Sequence, residues 1–147
     1  MLNDLIAKIS PLSLVSQSFP PAAQWTADDM PDQTGKVAVV TGANAGVGYH
    51  TALALLRKGA KVYVAARSED KAKVAIAKMT GEAGGKQASF LKLDLGDLPA
   101  IKKAADELKS KEKQVDILIA NAGVMVPPIE QVTAQVSWPE TRMRDRC

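Results

Sequence analysis

The sequence is poor in the residues that build disulfide frameworks and metal sites. Its 147 residues include one cysteine, Cys147 at the last position, and one histidine, His50. A single cysteine excludes an intrachain disulfide and is typical of proteins from a reducing compartment. We therefore expect a cytoplasmic protein, and we predict no metal site. No cysteine, serine or carboxylate is fixed beside His50 by spacing, so a packing or surface role is expected for it.

Long apolar runs and dense basic runs are also missing. No apolar stretch approaches the roughly 20 residues that span a bilayer, and we predict no membrane span. Asp4 precedes any basic residue and no clear apolar segment follows, so we predict no secretory signal. The net charge is +3, and because the lysines and arginines are spread over the chain, a nucleic-acid partner is not expected. These features leave the oligomeric state open.

The overall composition is typical of a folded domain, and the sequence pattern predicts a flanking segment on each side of it. The chain is 46% hydrophobic and 24% charged, and its length suits one domain with a moderate core. Residues 1–33 are predicted to form an N-terminal arm, in which Pro20-Pro21 favours extended backbone. Residues 34–128 are predicted to form the domain. Residues 129–147 lack a sustained apolar period and are predicted to form an irregular tail.

Within the domain, alternating strands and helices predict an α/β fold. Short apolar runs separated by amphipathic helices are typical of a parallel sheet covered on both faces. Right-handed crossovers then give a doubly wound, Rossmann-type sheet of about four strands in the order 3-2-1-4, with its ligand crevice at the carboxyl ends of strands one and four. The predicted elements are strands at Lys36–Thr41, Lys61–Ala66, Ala88–Leu93 and Val115–Ala120, and helices at Gly46–Lys58, at Ser68–Met79 and from Asp97 onward.

Two details of the helices are also predicted. Gly81 and Gly84-Gly85 are expected to break the second helix. The third helix is expected to carry an apolar stripe of Leu98, Ile101, Ala105 and Leu108.

A glycine-rich loop joins the first strand to the first helix and carries the strongest functional signal. It reads Thr41-Gly42-Ala43-Asn44-Ala45-Gly46-Val47-Gly48. A strand ending in glycines that open a helix directs free N–H groups and the positive helix end at one point, which suits a phosphate. Gly42 is expected to take the tight turn, Gly46 to admit a pyrophosphate, and Gly48 to let helix and strand pack closely. A flavin or ATP binder is disfavoured, because no Gly-Lys-Ser/Thr follows the loop.

With this spacing the chain resembles the short-chain dehydrogenase/reductase family. The resemblance rests on Thr41-Gly42-x-x-x-Gly46-x-Gly48, on Asp94-Leu95 after strand three and on Asn121-Ala122-Gly123 after strand four. Ala120 stands where the family often has a second Asn. The resemblance is greatest to the fungal and retinol-dehydrogenase-like members, because Ala65-Ala66-Arg67 stands at the end of strand two and Val124-Met125 follows the Asn-Ala-Gly element.

The resemblance implies the N-terminal, cofactor-binding part of an oxidoreductase. Such an enzyme transfers hydride between a nicotinamide dinucleotide and an alcohol or carbonyl substrate. The implied binding residues fall into three groups: Gly42, Asn44, Gly46, Val47 and Gly48 at the pyrophosphate, Asp94 and Leu95 at the adenine, and Asn121, Ala122 and Gly123 at the ribose and nicotinamide.

The residues after strand two favour NADP(H) over NAD(H). An enzyme that prefers NAD usually places an Asp or Glu there, which binds the ribose hydroxyls and repels a 2′-phosphate. Here the position holds the neutral Ala66, and Arg67 follows with a planar set of donors suited to phosphate. Alternatively, Arg67 pairs with Glu69 or Asp70 on the surface, where the gain in stability is small.

The residues that carry the family's proton chemistry have no counterpart in the sequence. The resemblance implies a Ser, an Asn and a Tyr-x-x-x-Lys pair, whose ammonium lowers the pKa of the phenol. The tyrosines are Tyr49 and Tyr63, with Leu53 and Arg67 four residues later, so we assign no catalytic residue. We expect a truncated product that ends before strand five. The alternative function is a catalytically inactive chain that binds only nucleotide or another subunit.

Overall fold

The computed structural model describes residues 25–123. These residues fall into two units that divide between Met30 and Pro31. The first unit contributes a short 3-10 turn, Ala27–Asp29, which Thr26 caps. Most of the predicted arm and the whole predicted tail lie outside the described residues, so the predicted boundaries of both stay predictions.

The second unit alternates strands and helices. The strands are β1 (Val37–Thr41), β2 (Lys61–Ala66), β3 (Ser89–Lys92) and β4 (Ile117–Ile119), and the helices are α1 (Gly46–Arg57), α2 (Glu69–Glu82) and α3 (Leu98–Lys111). All strand pairs are parallel, and the strand order is β3-β2-β1-β4. The predicted Rossmann-like sheet with order 3-2-1-4 is therefore confirmed.

Strand register brings the carboxyl ends of the strands to one edge of the sheet. Val39 of β1 pairs with Tyr63 of β2 and with Leu118 of β4. Ala66, the last residue of β2, pairs with Lys92, the last residue of β3. The loops that follow all four strands therefore leave the sheet at the same edge, where ligands of open parallel sheets bind.

The core lies on both faces of the sheet, because successive strand side chains point to opposite sides. One face packs against α3 through a cluster of buried residues, and the other face meets α1 and α2. The buried cluster on the α3 side contains Val37, Val39, Tyr63, Ala65, Leu91 and Ala104. The largest fully buried side chains of the described residues are Val40, Val62, Val64 and Met79.

The prediction that Gly81 breaks the second helix is wrong. Helix α2 continues through Gly81 to Glu82. The predicted break at Gly84 and Gly85 is confirmed, since their φ angles are +66° and +87°. One glycine inside a helix costs about 1 kcal/mol relative to alanine. Burial of Met79 in the preceding turn offsets that cost.

The apolar stripe of the third helix is narrower than predicted. Ala104 is the fully buried residue of α3, whereas Leu98 is 58% exposed and Ala105 is exposed. Ile101, Ala104 and Leu108 are spaced three and four residues apart, so they form the strip that meets the sheet. Positions 98 and 105 lie at the margin of that strip.

Candidate functional site

The glycine-rich loop and the segment after β4 meet where the strand order reverses, and Thr41 joins them. The Thr41 hydroxyl accepts a hydrogen bond from the Ala122 N–H at 2.8 Å and donates to the Ile119 carbonyl at 3.4 Å. The side-chain amide of Asn121 donates to the Thr41 carbonyl at 3.0 Å. Because Thr41 is 7% exposed, water competes little for these bonds, and they fix the two loops relative to each other.

Two glycines let these loops approach closely. Gly42 has a φ of +69°, and an added Cβ would lie 3.0 Å from the Ala122 Cα. A Cβ on Gly48 would lie 2.5 Å from the Asn121 side-chain nitrogen and 2.7 Å from the Gly42 carbonyl oxygen. The glycine spacing predicted that Gly48 lets helix and strand pack closely. Gly48 instead meets the two loops, because it lies in the first turn of α1, beyond the end of the strand.

The first turn of α1 is open and has no side-chain cap. Its N-cap is Ala45, which makes no capping hydrogen bond, at a position where Ser, Thr, Asp or Asn is preferred. The Tyr49 N–H bonds back to the Ala45 carbonyl at 3.2 Å, so the preceding amides of Gly46, Val47 and Gly48 have no acceptor within the helix. Gly46 faces open space and Val47 is 76% exposed. This turn therefore offers free donors and the positive helix end to an anion.

Arg67 directly follows β2 at the same edge of the sheet. It is exposed, and it forms no ion pair with any of residues 25–123. Glu69, its predicted alternative partner, instead pairs with Lys73 at 2.7 Å. The Lys73 ammonium, with a smaller contribution from Lys92, holds the pKa of Glu69 below its usual value. The guanidinium of Arg67 is thus available to a ligand at the end of β2.

The remaining predicted binding residues lie farther along the same edge. After β3, the Asp94 carboxylate accepts a hydrogen bond from the Gly96 N–H at 2.9 Å, forming a turn that leads into α3. Leu95 is 49% exposed beside it. The structure therefore brings the glycine loop into contact with Asn121 and Ala122, whereas β2 separates that group from Asp94. Asn44 is half-buried within the glycine loop, and Gly123 is exposed.

The two tyrosines lack the environment of a catalytic phenol. Burial raises the pKa of Tyr49, and so does Glu82, which accepts a hydrogen bond from its hydroxyl at 3.1 Å. Burial and a hydrogen bond to Glu112 raise the pKa of Tyr63. A phenol that exchanges a substrate proton near neutral pH needs a pKa shifted in the opposite direction. Neither side chain is therefore a candidate for proton transfer.

Between residues 25 and 123, no three His, Cys, Asp or Glu side chains lie together in a way that would bind a metal ion. None of the helices in that range is both long and apolar enough to span a bilayer.

Comparison with known proteins identifies the family. The strand order and the loops that meet at its reversal are those of a Rossmann-like fold. A family model described as short chain dehydrogenase matches residues 36–142. The chain belongs to this short-chain dehydrogenase family, as its motifs predicted. The match continues into the segment that the sequence analysis predicted to be an irregular tail.

Its relatives include several fungal proteins. A short-chain dehydrogenase/reductase of Armillaria gallica is 55% identical over 123 residues, which are 84% of this chain and 40% of the relative. An uncharacterized oxidoreductase of Schizosaccharomyces pombe is 48% identical over 107 residues, which are 73% of this chain and 32% of the relative. The chain thus spans about 40% of the length of the first of these curated relatives.

Two solved structures illustrate the similarity of fold. A short-chain type dehydrogenase/reductase from Mycobacterium marinum is 30% identical with a TM-score of 0.60, and the match covers 82% of this chain and 46% of that chain. The Pseudomonas aeruginosa RhlG/NADP complex is 29% identical with a TM-score of 0.54, and its match covers 63% of this chain and 36% of that chain.

Proposed function

We propose that the chain is the cofactor-binding part of an NADP(H)-dependent oxidoreductase. In this proposal the whole protein transfers hydride between the nicotinamide and an alcohol or carbonyl substrate. The observation that carries the proposal is the open first turn of α1, where Ala45 provides no cap and Gly46 faces open space. Membership of an oxidoreductase family supports it. A cytoplasmic location is part of the proposal, because a single cysteine suits a reducing compartment.

The described residues fit a dinucleotide laid across the edge of the sheet. The amides of Gly46, Val47 and Gly48 would donate to the pyrophosphate, with Gly42 and Asn44 shaping the loop. Asp94 and Leu95 would border the adenine. Asn121, Ala122 and Gly123 would border the ribose and nicotinamide. When bound, the nicotinamide would supply or accept the hydride, and these residues would hold and orient it.

Preference for NADP(H) rests on Arg67. The preceding residue, Ala66, carries no charge that would repel a 2′-phosphate, and the Arg67 guanidinium forms no ion pair inside residues 25–123. A planar guanidinium donates two parallel hydrogen bonds to a phosphate, and such charge-assisted bonds are stronger than neutral ones. The RhlG relative, which was solved with NADP, has the same fold at 29% identity and supports this choice.

A thermal melt of the 147-residue chain tests the proposal. The chain is melted alone and with increasing NADPH or NADH. A ligand that binds only the folded state stabilises it by about 2.7 kcal/mol at a hundredfold excess over its Kd. We expect a cooperative melt that moves to higher temperature with NADPH, and less with NADH. A melt that neither nucleotide moves would contradict the proposal.

A second function, nucleotide binding without turnover, is favoured by one observation. Neither Tyr49 nor Tyr63 has the lowered pKa that proton transfer requires. Stabilisation by NADPH together with no oxidation of NADPH by a panel of carbonyl compounds would support this second function for the isolated chain. Turnover of any carbonyl by the chain itself would contradict it.

Replacing Arg67 with alanine is expected to weaken NADPH binding about tenfold and to leave NADH binding nearly unchanged. The reason is that the variant loses charge-assisted bonds to a phosphate that only NADPH carries, and such bonds contribute about 1.5 kcal/mol or more. Titration calorimetry with both nucleotides measures the effect. Lys102→Ala removes a positive charge from an exposed position of α3 and serves as the matched control. Equal losses for both nucleotides would contradict the phosphate role of Arg67.

A further inference from the structure

Lys92 lies beside the end of β2, where the proposed function puts the 2′-phosphate. Ala66 pairs with Lys92 in parallel register, and the Leu93 N–H donates to the Ala66 carbonyl at 3.1 Å. The backbone of Lys92 is therefore one strand spacing, about 4.8 Å, from the residue that precedes Arg67. Leu91 belongs to the buried cluster on the α3 side. Because side chains alternate along a strand, Lys92 points to the opposite face, which α2 covers.

The first turn of α2 places two acidic residues, Glu69 and Asp70, near the end of β2. Glu69 pairs with Lys73 at 2.7 Å, and the Lys73 ammonium, with a smaller contribution from Lys92, lowers the pKa of Glu69. Lys92 is exposed and makes no ion pair with any of the described residues. Because Glu69 is already paired with Lys73, Arg67 and Lys92 are the cations beside the end of β2 that make no ion pair with the described residues. Two such cations favour an anion at this place.

We propose that Lys92 is a second specificity-determining residue, which acts with Arg67 on the 2′-phosphate of NADP(H). This inference rests on the proposed function. The two cations approach the end of β2 from different directions, Arg67 along the chain and Lys92 from the neighbouring strand. Arg67 supplies planar donors for direct hydrogen bonds, whereas Lys92 adds a flexible point charge. NADH has a hydroxyl in place of the phosphate, so Lys92 contributes to the affinity for NADPH alone.

Titration of Lys92 variants with both nucleotides tests the inference. In the 147-residue chain, Lys92→Gln is expected to weaken NADPH binding roughly threefold, which is typical of one exposed charge pair, and to leave NADH binding unchanged. Lys92→Arg keeps the charge and is expected to keep the preference. Lys103→Gln removes an exposed lysine from α3 and is expected to change neither affinity. Raising the salt concentration should shrink the difference between wild type and Lys92→Gln.

The outcomes separate this inference from the proposed function. A wild-type chain that binds neither nucleotide overturns both. A wild-type chain that prefers NADPH, and loses the preference in Arg67→Ala but keeps it unchanged in Lys92→Gln, overturns the role of Lys92 alone. Equal weakening of NADPH and NADH binding in Lys92→Gln also overturns it, because a purely structural residue would act on both nucleotides. A selective loss in Lys92→Gln with recovery in Lys92→Arg supports it.

Discussion

Replacing Gly48 with alanine is expected to lower the free energy of unfolding by about 3 kcal/mol, at the upper end of the usual effect of overpacking. The new Cβ would lie 2.5 Å from the Asn121 side-chain nitrogen and 2.7 Å from the Gly42 carbonyl oxygen. The side-chain amide can rotate, but the carbonyl belongs to the backbone of the glycine loop. Alanine therefore distorts the glycine loop between β1 and α1 and displaces the Asn121 side chain. Denaturant unfolding of wild type and variant measures the loss, and the melt with NADPH should no longer rise.

Gly81→Ala is the matched control for this substitution. Gly81 lies within α2, and an added Cβ there meets nothing within 4 Å. Alanine in place of a helical glycine is expected to stabilise the chain by about 0.5–1 kcal/mol. Adding Asn121→Ala to Gly48→Ala removes one of the two close contacts, so the double variant should lose less than the sum of the single losses. If Gly48→Ala unfolds within 0.5 kcal/mol of wild type, the close approach of the loops is not rigid.

Most of the fold could be predicted from local pattern. Each strand is a short apolar run bounded by turn residues, and the rule of right-handed crossovers then leaves few strand orders. Two wrong predictions, the break of helix α2 at Gly81 and the width of the buried strip on α3, concern features that tertiary packing decides. Helix α2 passes through Gly81 because the buried Met79 holds the preceding turn against the sheet. The strip that α3 buries is set by which strands lie beneath the helix, and a periodic pattern does not contain that information.

In the candidate site, too, local features could be predicted from the sequence, whereas contacts between distant residues could not. The glycine loop could be located from the sequence because strand, turn and helix are adjacent along the chain. The bonds from Thr41 to Asn121 and Ala122 join residues about 80 positions apart. A hydrogen bond over that separation has no signature in the local sequence pattern. Lys92 was missed for a similar reason, because its position beside Ala66 follows from the register of β2 with β3.

Replacing Thr41 with valine is expected to lower the free energy of unfolding by about 2 kcal/mol, within the range for leaving a donor without a partner. Valine has nearly the same shape as threonine, so packing changes little. The part-buried Ala122 N–H, however, loses the hydroxyl of the buried Thr41 that accepts its hydrogen bond at 2.8 Å. Denaturant unfolding measures the stability, and a melt with NADPH measures whether the segment after β4 still supports binding.

Thr41→Ser separates the hydrogen bond from the packing of the methyl group. Serine keeps the hydroxyl and loses one methyl, which costs about 0.8 kcal/mol when the group is buried. If the hydroxyl joins the two loops, serine should retain most of the stability that valine loses, and nucleotide stabilisation should follow the same order. If serine is as damaging as valine, or if valine equals wild type, packing rather than the Thr41 hydrogen bonds fixes the loops. The segment after β4 would then be held by the close approach of Gly42 and Gly48 to it and by the bond from the Asn121 side-chain amide to the Thr41 carbonyl, which the valine variant keeps.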